Sequence, residues 1–271
     1  MPPNIARFAS GRRRCERPPD AYRNVIDLHC HHLPGIDDGA PDMETALALL
    51  EASAADGITE AVLTPHVYPG RWDNTLSSLR PVFAAFKQAA EAAAIPVTLH
   101  LGGEVHLLPE ALHLCDEGDL PLIGLWQDLR VVLLEFPDGQ IPVGALKAVA
   151  YLRQRGIVPM IAHPERNKDV MRDPLRLKPF VDAGCLIQVT AASIAGRFGR
   201  RALQTSIALL ERDWITAVAT DAHNLKHRPP MLSDARDALV RLAGEIKAAD
   251  LTEINPGIIV AGRNDPAFPA V

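Results

Sequence analysis

Short runs of aliphatic and β-branched residues alternate along this chain with longer segments whose apolar residues recur at helical spacing. The runs at 25–28, 58–64, 97–101, 131–134, 157–162, 185–189 and 215–219 read as buried strands, being short, continuous and bounded by Gly, Pro or polar clusters. After the first of them, Met43, Ala46, Leu47, Leu50 and Ala54 form one apolar helical face, with Asp42 as the N-cap candidate and Gly57 as the stop. Further helices are predicted over 76–93, 143–155, 174–183, 193–212 and much of 233–247. The tail from Asn255 to Val271 reads as loop, punctuated by Pro256, Gly257, Gly262, Pro266 and Pro269. About seven alternating strand–helix units predict a parallel sheet. Without an internal linker they favour a closed α/β barrel over an open sheet, and such barrels carry their chemistry at the C-terminal ends of the strands.

Three of those strand ends hold clusters of metal-ligand residues: Asp27-Leu28-His29-Cys30-His31, Ala162-His163-Pro164-Glu165-Arg166 and Thr220-Asp221-Ala222-His223. His29 and His31, two apart on a strand, point to the same side. His32 breaks that alternation and is left without a role. His66 ends the run Ala61-Val62-Leu63-Thr64-Pro65, Glu104 follows Gly102-Gly103, and Glu135 closes the strand before Phe136-Pro137. A carboxylate at the end of a buried strand needs a partner, and either a metal or an arginine supplies one. Asp37 and Asp38 precede Gly39, where ordinary turn chemistry accounts for them and the proximity of His31 offers a second reading.

The candidates His29, His31, His66, His163, His223, Asp38, Glu104, Glu135 and Asp221 exceed the roughly four to six ligands of one ion, so they imply two or three ions with a bridging carboxylate. Nitrogen and oxygen donors without thiolate suit Mn, Fe or Zn. Such sites activate a water and clamp an in-line displacement at phosphorus. Arg166 and Arg228 would then hold phosphate oxygens with forked, charge-assisted hydrogen bonds. No Cys-x5-Arg loop, Gly-rich phosphate loop or dinucleotide fingerprint is present, which disfavours a cysteine-nucleophile phosphatase.

Composition narrows the setting. The 271 residues, 48% hydrophobic and 23% charged, can bury one large core. Mean hydropathy is +0.03, and no apolar run reaches the ~18 residues of a membrane span. A net charge of −5 gives no reason to expect a nucleic-acid partner. Cys15, Cys30, Cys115 and Cys185 form no C-x-x-C pair, consistent with a reducing cytoplasm. Residues 1–24 differ: six arginines against Glu16 and Asp20 mark a basic, disordered arm, suited to weak contact with anionic lipid or an acidic partner. It lacks the apolar region of a secretory signal. The catalytic domain is expected over 25–271.

The strings Asp27-Leu28-His29-Cys30-His31-His32-Leu33-Pro34-Gly35-Ile36-Asp37-Asp38-Gly39-Ala40, Thr64-Pro65-His66, Gly103-Glu104, Leu134-Glu135-Phe136-Pro137, Ile161-Ala162-His163-Pro164-Glu165-Arg166-Asn167 and Asp221-Ala222-His223-Asn224 together resemble the PHP (polymerase and histidinol phosphatase) superfamily. More narrowly, they resemble its bacterial capsule and exopolysaccharide tyrosine-phosphatase branch. The resemblance implies a distorted seven-stranded (βα) barrel of TIM-like kind with three metals, commonly Mn. It implies one ion on His29, His31, Glu104 and Asp221, a second on Asp38, His66 and His223, and a third on Glu104, Glu135 and His163. Arg166 and Arg228 match the branch's phosphate-contacting arginines. The arginine-rich arm departs from the branch, whose members usually begin close to the first strand.

The expected activity is hydrolysis of phosphotyrosine by a metal-activated hydroxide, with a tyrosine autokinase of polysaccharide export as substrate by family analogy. The phenol is a tolerable leaving group, with a pKa of about 10. The segment Val67-Tyr68-Pro69-Gly70-Arg71-Trp72 is a candidate wall for the phenyl ring, or else an ordinary exposed loop. The alternative activities keep the site but change the substrate to a small phosphomonoester such as histidinol phosphate, or to a nucleic-acid phosphodiester. A non-enzymatic metal-binding protein of the same fold is the third reading, and loss of ligand residues would be its mark.

Overall fold

The computed structural model describes residues 24–264. The predicted basic arm, apart from its last residue, and the last seven residues of the tail lie outside the described residues. The strands are β1 (Val25–Cys30), β2 (Ile58–Leu63), β3 (His66–Val67), β4 (Thr98–Leu101), β5 (Glu104–His106), β6 (Gly124–Trp126), β7 (Leu129–Glu135), β8 (Ile157–Ile161), β9 (Leu186–Thr190) and β10 (Ala217–Ala219). The helices are α1 (Met43–Asp56), α2 (Leu76–Ala92), α3 (Pro109–Glu117), α4 (Ala145–Gln154), α5 (Lys168–Arg172), α6 (Lys178–Asp182), α7 (Ala191–Ile194), α8 (Gly199–Glu211), α9 (Ser233–Ala249) and α10 (Asn255–Ala261).

One parallel sheet runs β1-β2-β4 and another runs β10-β9-β8-β7-β5-β3. They are halves of one circuit. The Gly102 amide donates to Leu63 O at 2.8 Å and the Glu104 amide to Pro65 O at 3.0 Å, so the β2–β4 pairing resumes as β3–β5 beyond Pro65 and the two glycines. At the other seam the Asp221 amide donates to His29 O at 2.7 Å and the His31 amide to Ala222 O at 2.9 Å, joining β10 to β1. Counted around the circuit, β2/β3 and β4/β5 each act as one broken strand, which gives seven positions. The distortion lies beside β7, where the short β6 pairs with it antiparallel.

Alternation along each strand divides the apolar residues into layers. Val131 and Leu133 of β7, with Ile26, Leu28, Val158, Met160 and Ala219, fill the barrel interior. Val132 and Leu134 face outward onto the helix layer. Ile259 and Val260 of α10 close the interior from the end opposite the ligand clusters.

The helix expectations hold at the first unit, where Asp42 accepts from the Thr45 amide at 2.8 Å and the helix ends before Gly57. Other expectations need correction. The continuous helix over 193–212 is two helices, α7 and α8, because Gly196 and Gly199 take φ of 80° and 86° and break the run. The segment 174–183 is a 3-10 turn followed by α6. The tail is not loop throughout: α10 forms with Pro256 at its first turn, where a missing amide costs nothing, and Ile259 and Val260 are held in the core. Among the described residues, no helix is long and apolar enough to cross a membrane.

Candidate metal centre

The C-terminal side of the barrel gathers every candidate ligand read from the sequence, all but the loop residue Asp38 at or within a few residues of a strand. β1 delivers His29 and, one residue past its end, His31. β3 begins with His66 and β5 with Glu104, directly paired in register. β7 ends on Glu135, while His163 and Asp221 follow β8 and β10 by two residues. His163 and Asp221 both sit at positive φ, 29° and 52°, a backbone state that non-glycine residues adopt at a cost. Asp38 comes from the loop after β1, where Gly39 lies so close to His31 that a Cβ there would stand 2.1 Å from His31 O.

The ligand atoms fall into three groups, each with its atoms within 4.8 Å of one another: His29, His31, Glu104 and Asp221; His31, Asp38, His66 and His223; and His66, Glu104 and Glu135. The first two contain the residues expected for two of the ions. The third differs in its histidine. His163 Nε2 lies 2.7 Å from Glu104 Oε1 and 4.0 Å from Glu135 Oε1, and His66 Nδ1 lies 3.0 Å and 3.8 Å from the same two side chains, so both imidazoles border this carboxylate pair.

Hydrogen bonding fixes which atoms face the centre. Gln188 Oε1 takes the His163 amide at 3.3 Å, which identifies it as the amide oxygen, and it lies 3.0 Å from His29 Nδ1. Asp37 Oδ2 lies 2.7 Å from His31 Nδ1. With Nδ1 of each ring donating, the lone pairs of both rings sit on Nε2. These two nitrogens are 3.2 Å apart, and each is 3.3 Å from Glu104 Oε2 and 3.4–3.5 Å from Asp221 Oδ1. Four lone-pair atoms thus converge on one buried point. Glu104 Oε2, Asp221 Oδ1 and His223 Nε2 have no hydrogen-bond partner. Buried acceptors without donors are costly, and a cation between them resolves that cost. The donor set therefore fits divalent metal.

The electrostatics agree. Burial opposes charge on His31, yet Asp37, Asp221 and Glu104 raise its pKa well above the usual imidazole range. Burial would raise the Glu104 carboxyl, but His29, His66 and His163 hold it well below its ordinary value. The centre therefore favours positive charge. His223 goes the other way: burial and the neighbouring His31 bring it down to about 4, leaving a neutral ring suited to coordination.

Arg166 and Arg228 both reach Asp221 Oδ2. They line a cleft of about 320 Å³ together with Asp38, His66, Glu104, Glu135 and His163. Trp72 and Tyr68 line the same cleft. Trp72 stacks on His66 with ring centroids 4.7 Å apart and planes 9° apart, and Tyr68 stacks on His106 at 4.1 Å and 4°.

Several residues that shape the centre carry no role in the sequence reading. Asp37, read there first as turn chemistry, accepts from the Gly39 amide at 2.9 Å and also aligns His31 and the His66 amide. Asp27 accepts from the Thr220 amide at 2.9 Å and from its hydroxyl at 2.5 Å, tying β1 to β10 beneath the ligands. His106 lies 2.9 Å from Glu135 through Nδ1. His32 turns away to Ser53 Oγ at 3.0 Å, and burial brings its pKa down to about 3. A signal existed for Asp27 and for Gln188, which orients His29: both are polar residues inside apolar strands, where a buried polar group needs a task.

Comparison with known proteins adds the lineage. The family model for capsular polysaccharide synthesis, CpsB/CapC, matches residues 25–261. The tyrosine-protein phosphatase YwqE of Bacillus subtilis is 34% identical over 204 residues, covering 75% of this chain and 79% of that protein. The tyrosine-protein phosphatase CpsB of Streptococcus pneumoniae is 28% identical over 241 residues, 87% and 98% of the two chains. Among solved structures, one reported with YwqE and CpsB as metal-dependent tyrosine phosphatases superposes with a TM-score of 0.82 at 30% identity, covering 91% of this chain and 100% of that one. The phosphotriesterase homology protein from Escherichia coli, at 13% identity and a TM-score of 0.56, shares the fold alone. This chain belongs to the CpsB/CapC family of capsular polysaccharide synthesis.

Proposed function

We propose that this protein is a metal-dependent phosphotyrosine-protein phosphatase. The observation that carries the reading is the convergence of His29 Nε2, His31 Nε2, Glu104 Oε2 and Asp221 Oδ1 on one point, with Arg166 and Arg228 beside it in an open cleft. Two or three divalent ions are proposed. His29, His31, Glu104 and Asp221 hold one, and Asp38, His66 and His223 another. Glu104 and Glu135 hold a third, with His163 or His66. Manganese is the proposed metal, and iron or zinc suits the same donors. Bound there, such ions polarise phosphoryl oxygens and lower the pKa of water.

The protein's own side chains do the rest. Arg166 and Arg228 present forked donors to the phosphoryl oxygens and balance the charge gathered on them in the transition state. Trp72 and Tyr68 offer aromatic surface to the phenyl ring of the substrate. The phenolate leaves with a pKa of about 10, so its departure depends less on a strong general acid than that of an alkoxide would. His29 and Glu104 are fully buried, and so are held in place by packing as well as by hydrogen bonds.

The natural substrate is proposed to be a phosphotyrosine protein of the cytoplasm, in this family a tyrosine autokinase of capsule or exopolysaccharide synthesis. Residues 25–271 are proposed as the catalytic unit and 1–24 as a basic appendage to it. Turnover of a phosphotyrosine peptide, histidinol phosphate and bis-p-nitrophenyl phosphate, compared side by side, tests the assignment. The peptide is expected to be preferred. Activity is expected to vanish with chelator and return with divalent metal. Preference for either other substrate would overturn the reading.

A further inference from the structure

A second cavity, of about 470 Å³, lies between α5 and α8, outside the metal centre. Lys168, Arg172 and Arg201 line it, with Gln204 and Thr205. Lys168, Arg172 and Arg201 are exposed. Arg172 is paired with Asp169 at 3.0 Å, whereas Lys168 and Arg201 have no ion-pair partner among the described residues. Arg200 and Arg201 stand in the first turn of α8, which contains no acidic residue. On a chain of net charge −5 this is a local concentration of positive charge, uncompensated at Lys168 and Arg201.

A short segment and one backbone hydrogen bond link the lining of the groove to that of the catalytic cleft. Lys168 is two residues beyond Arg166, and its amide donates to Asp138 O at 2.9 Å. Asp138 itself lines the cleft. Asn167, between the two basic residues, donates from Nδ2 to Pro137 O at 2.8 Å, which fixes that segment in place. Lys168 of the groove is thus tied to two residues that line the cleft, Arg166 through the chain and Asp138 through the backbone.

We propose that the groove lined by Lys168, Arg172 and Arg201 binds the acidic residues that flank the phosphotyrosine of a protein substrate. The inference rests on the phosphatase reading and adds to it a preference for acidic sequence. Charge complementarity argues for this occupant: Lys168 and Arg201, which have no carboxylate partner among the described residues, attract an acidic segment, and the attraction is screened by salt.

The test compares two phosphotyrosine peptides, one with three glutamates on each side of the tyrosine and one with glutamines there, with p-nitrophenyl phosphate as a control lacking flanks. Wild-type enzyme is expected to favour the glutamate peptide in kcat/KM by about threefold to tenfold at low salt, the size expected of a few exposed charge pairs. The preference should collapse at high salt and in the Lys168→Glu/Arg201→Glu double variant. That variant should hydrolyse p-nitrophenyl phosphate as wild type does, which reports that it is folded. Equal rates on the two peptides in wild type, or a preference that survives charge reversal, overturns the groove assignment alone. Hydrolysis of p-nitrophenyl phosphate with neither peptide turned over overturns the phosphotyrosine-protein reading and the groove with it.

Discussion

The guanidinium groups of Arg166 and Arg228 meet on a single oxygen, Asp221 Oδ2. The other oxygen of the same carboxylate, Oδ1, faces His29 Nε2 at 3.4 Å and His31 Nε2 at 3.5 Å. One buried side chain thus joins the two arginines to the imidazole cluster. Its carboxyl is held well below the ordinary range: burial opposes this, but His29 and Arg166 outweigh it. A phosphoryl group entering the cleft would compete with Asp221 for the same donors.

That sharing makes the arginines testable apart from the metal ligands. Replacing Arg166 or Arg228 by Lys keeps the charge but removes the fork. The expected result is a fall in kcat/KM of about 10- to 100-fold for each, the worth of one charge-assisted hydrogen bond. Metal content by elemental analysis should stay at the wild-type level. If metal is lost in parallel, the arginines hold the centre together rather than bind phosphate.

Gln188 is expected to set metal affinity without touching metal. Its oxygen takes the His29 Nδ1 proton at 3.0 Å and so leaves Nε2 free to coordinate. Gln188→Ala should weaken divalent-ion binding by about 10- to 100-fold, as removal of such orienting partners does elsewhere. Calorimetric titration with manganese reads this, and circular dichroism should be unchanged. By contrast, His29→Ala combined with His31→Ala should abolish activity and lower metal content outright. An unaltered manganese affinity in Gln188→Ala would remove the orienting role.

Trp72 is half-buried in the cleft wall, stacked on His66 and covered by Arg71, whose guanidinium lies 4.0 Å from its ring centroid. Trp72→Ala is predicted to raise KM for a phosphotyrosine peptide about fivefold, the scale of one aromatic contact of ~1 kcal/mol. Steady-state kinetics at fixed metal concentration decide it, and an unchanged KM would discard the aromatic wall.

Away from the centre, Asp56 closes the last part of the chain onto the first helix. It accepts from the Leu232 amide at 2.6 Å, the Ser233 amide at 2.9 Å and the Ser233 hydroxyl at 2.5 Å, and so caps α9 from α1, because Leu232 at the N-cap position has no side-chain acceptor. Asp56→Ala should cost about 1–3 kcal/mol by stranding those donors. For a domain of this size that lowers Tm by several degrees, about 2–4 °C per kcal/mol. Differential scanning calorimetry measures the loss, and activity at 25 °C should persist. An unshifted Tm would contradict the cap.

The sequence by itself determined the periodic elements and the residue types at strand ends. Period-two and period-3.6 patterns follow from local backbone geometry, so β1, α1 and β8 were legible, and His29, His163 and Asp221 stood out as polar residues after apolar runs. The two helices in place of one over 193–212, and the helix at 255–261, were not legible. Glycine backbone states and the burial of Ile259 and Val260 under the barrel depend on packing from distant segments. The same holds within the centre. That Asp37 orients His31, that Gln188 selects the His29 tautomer and that His66 joins His163 beside both Glu104 and Glu135 are decided by contacts over 6 to 159 positions along the chain, which no local pattern encodes.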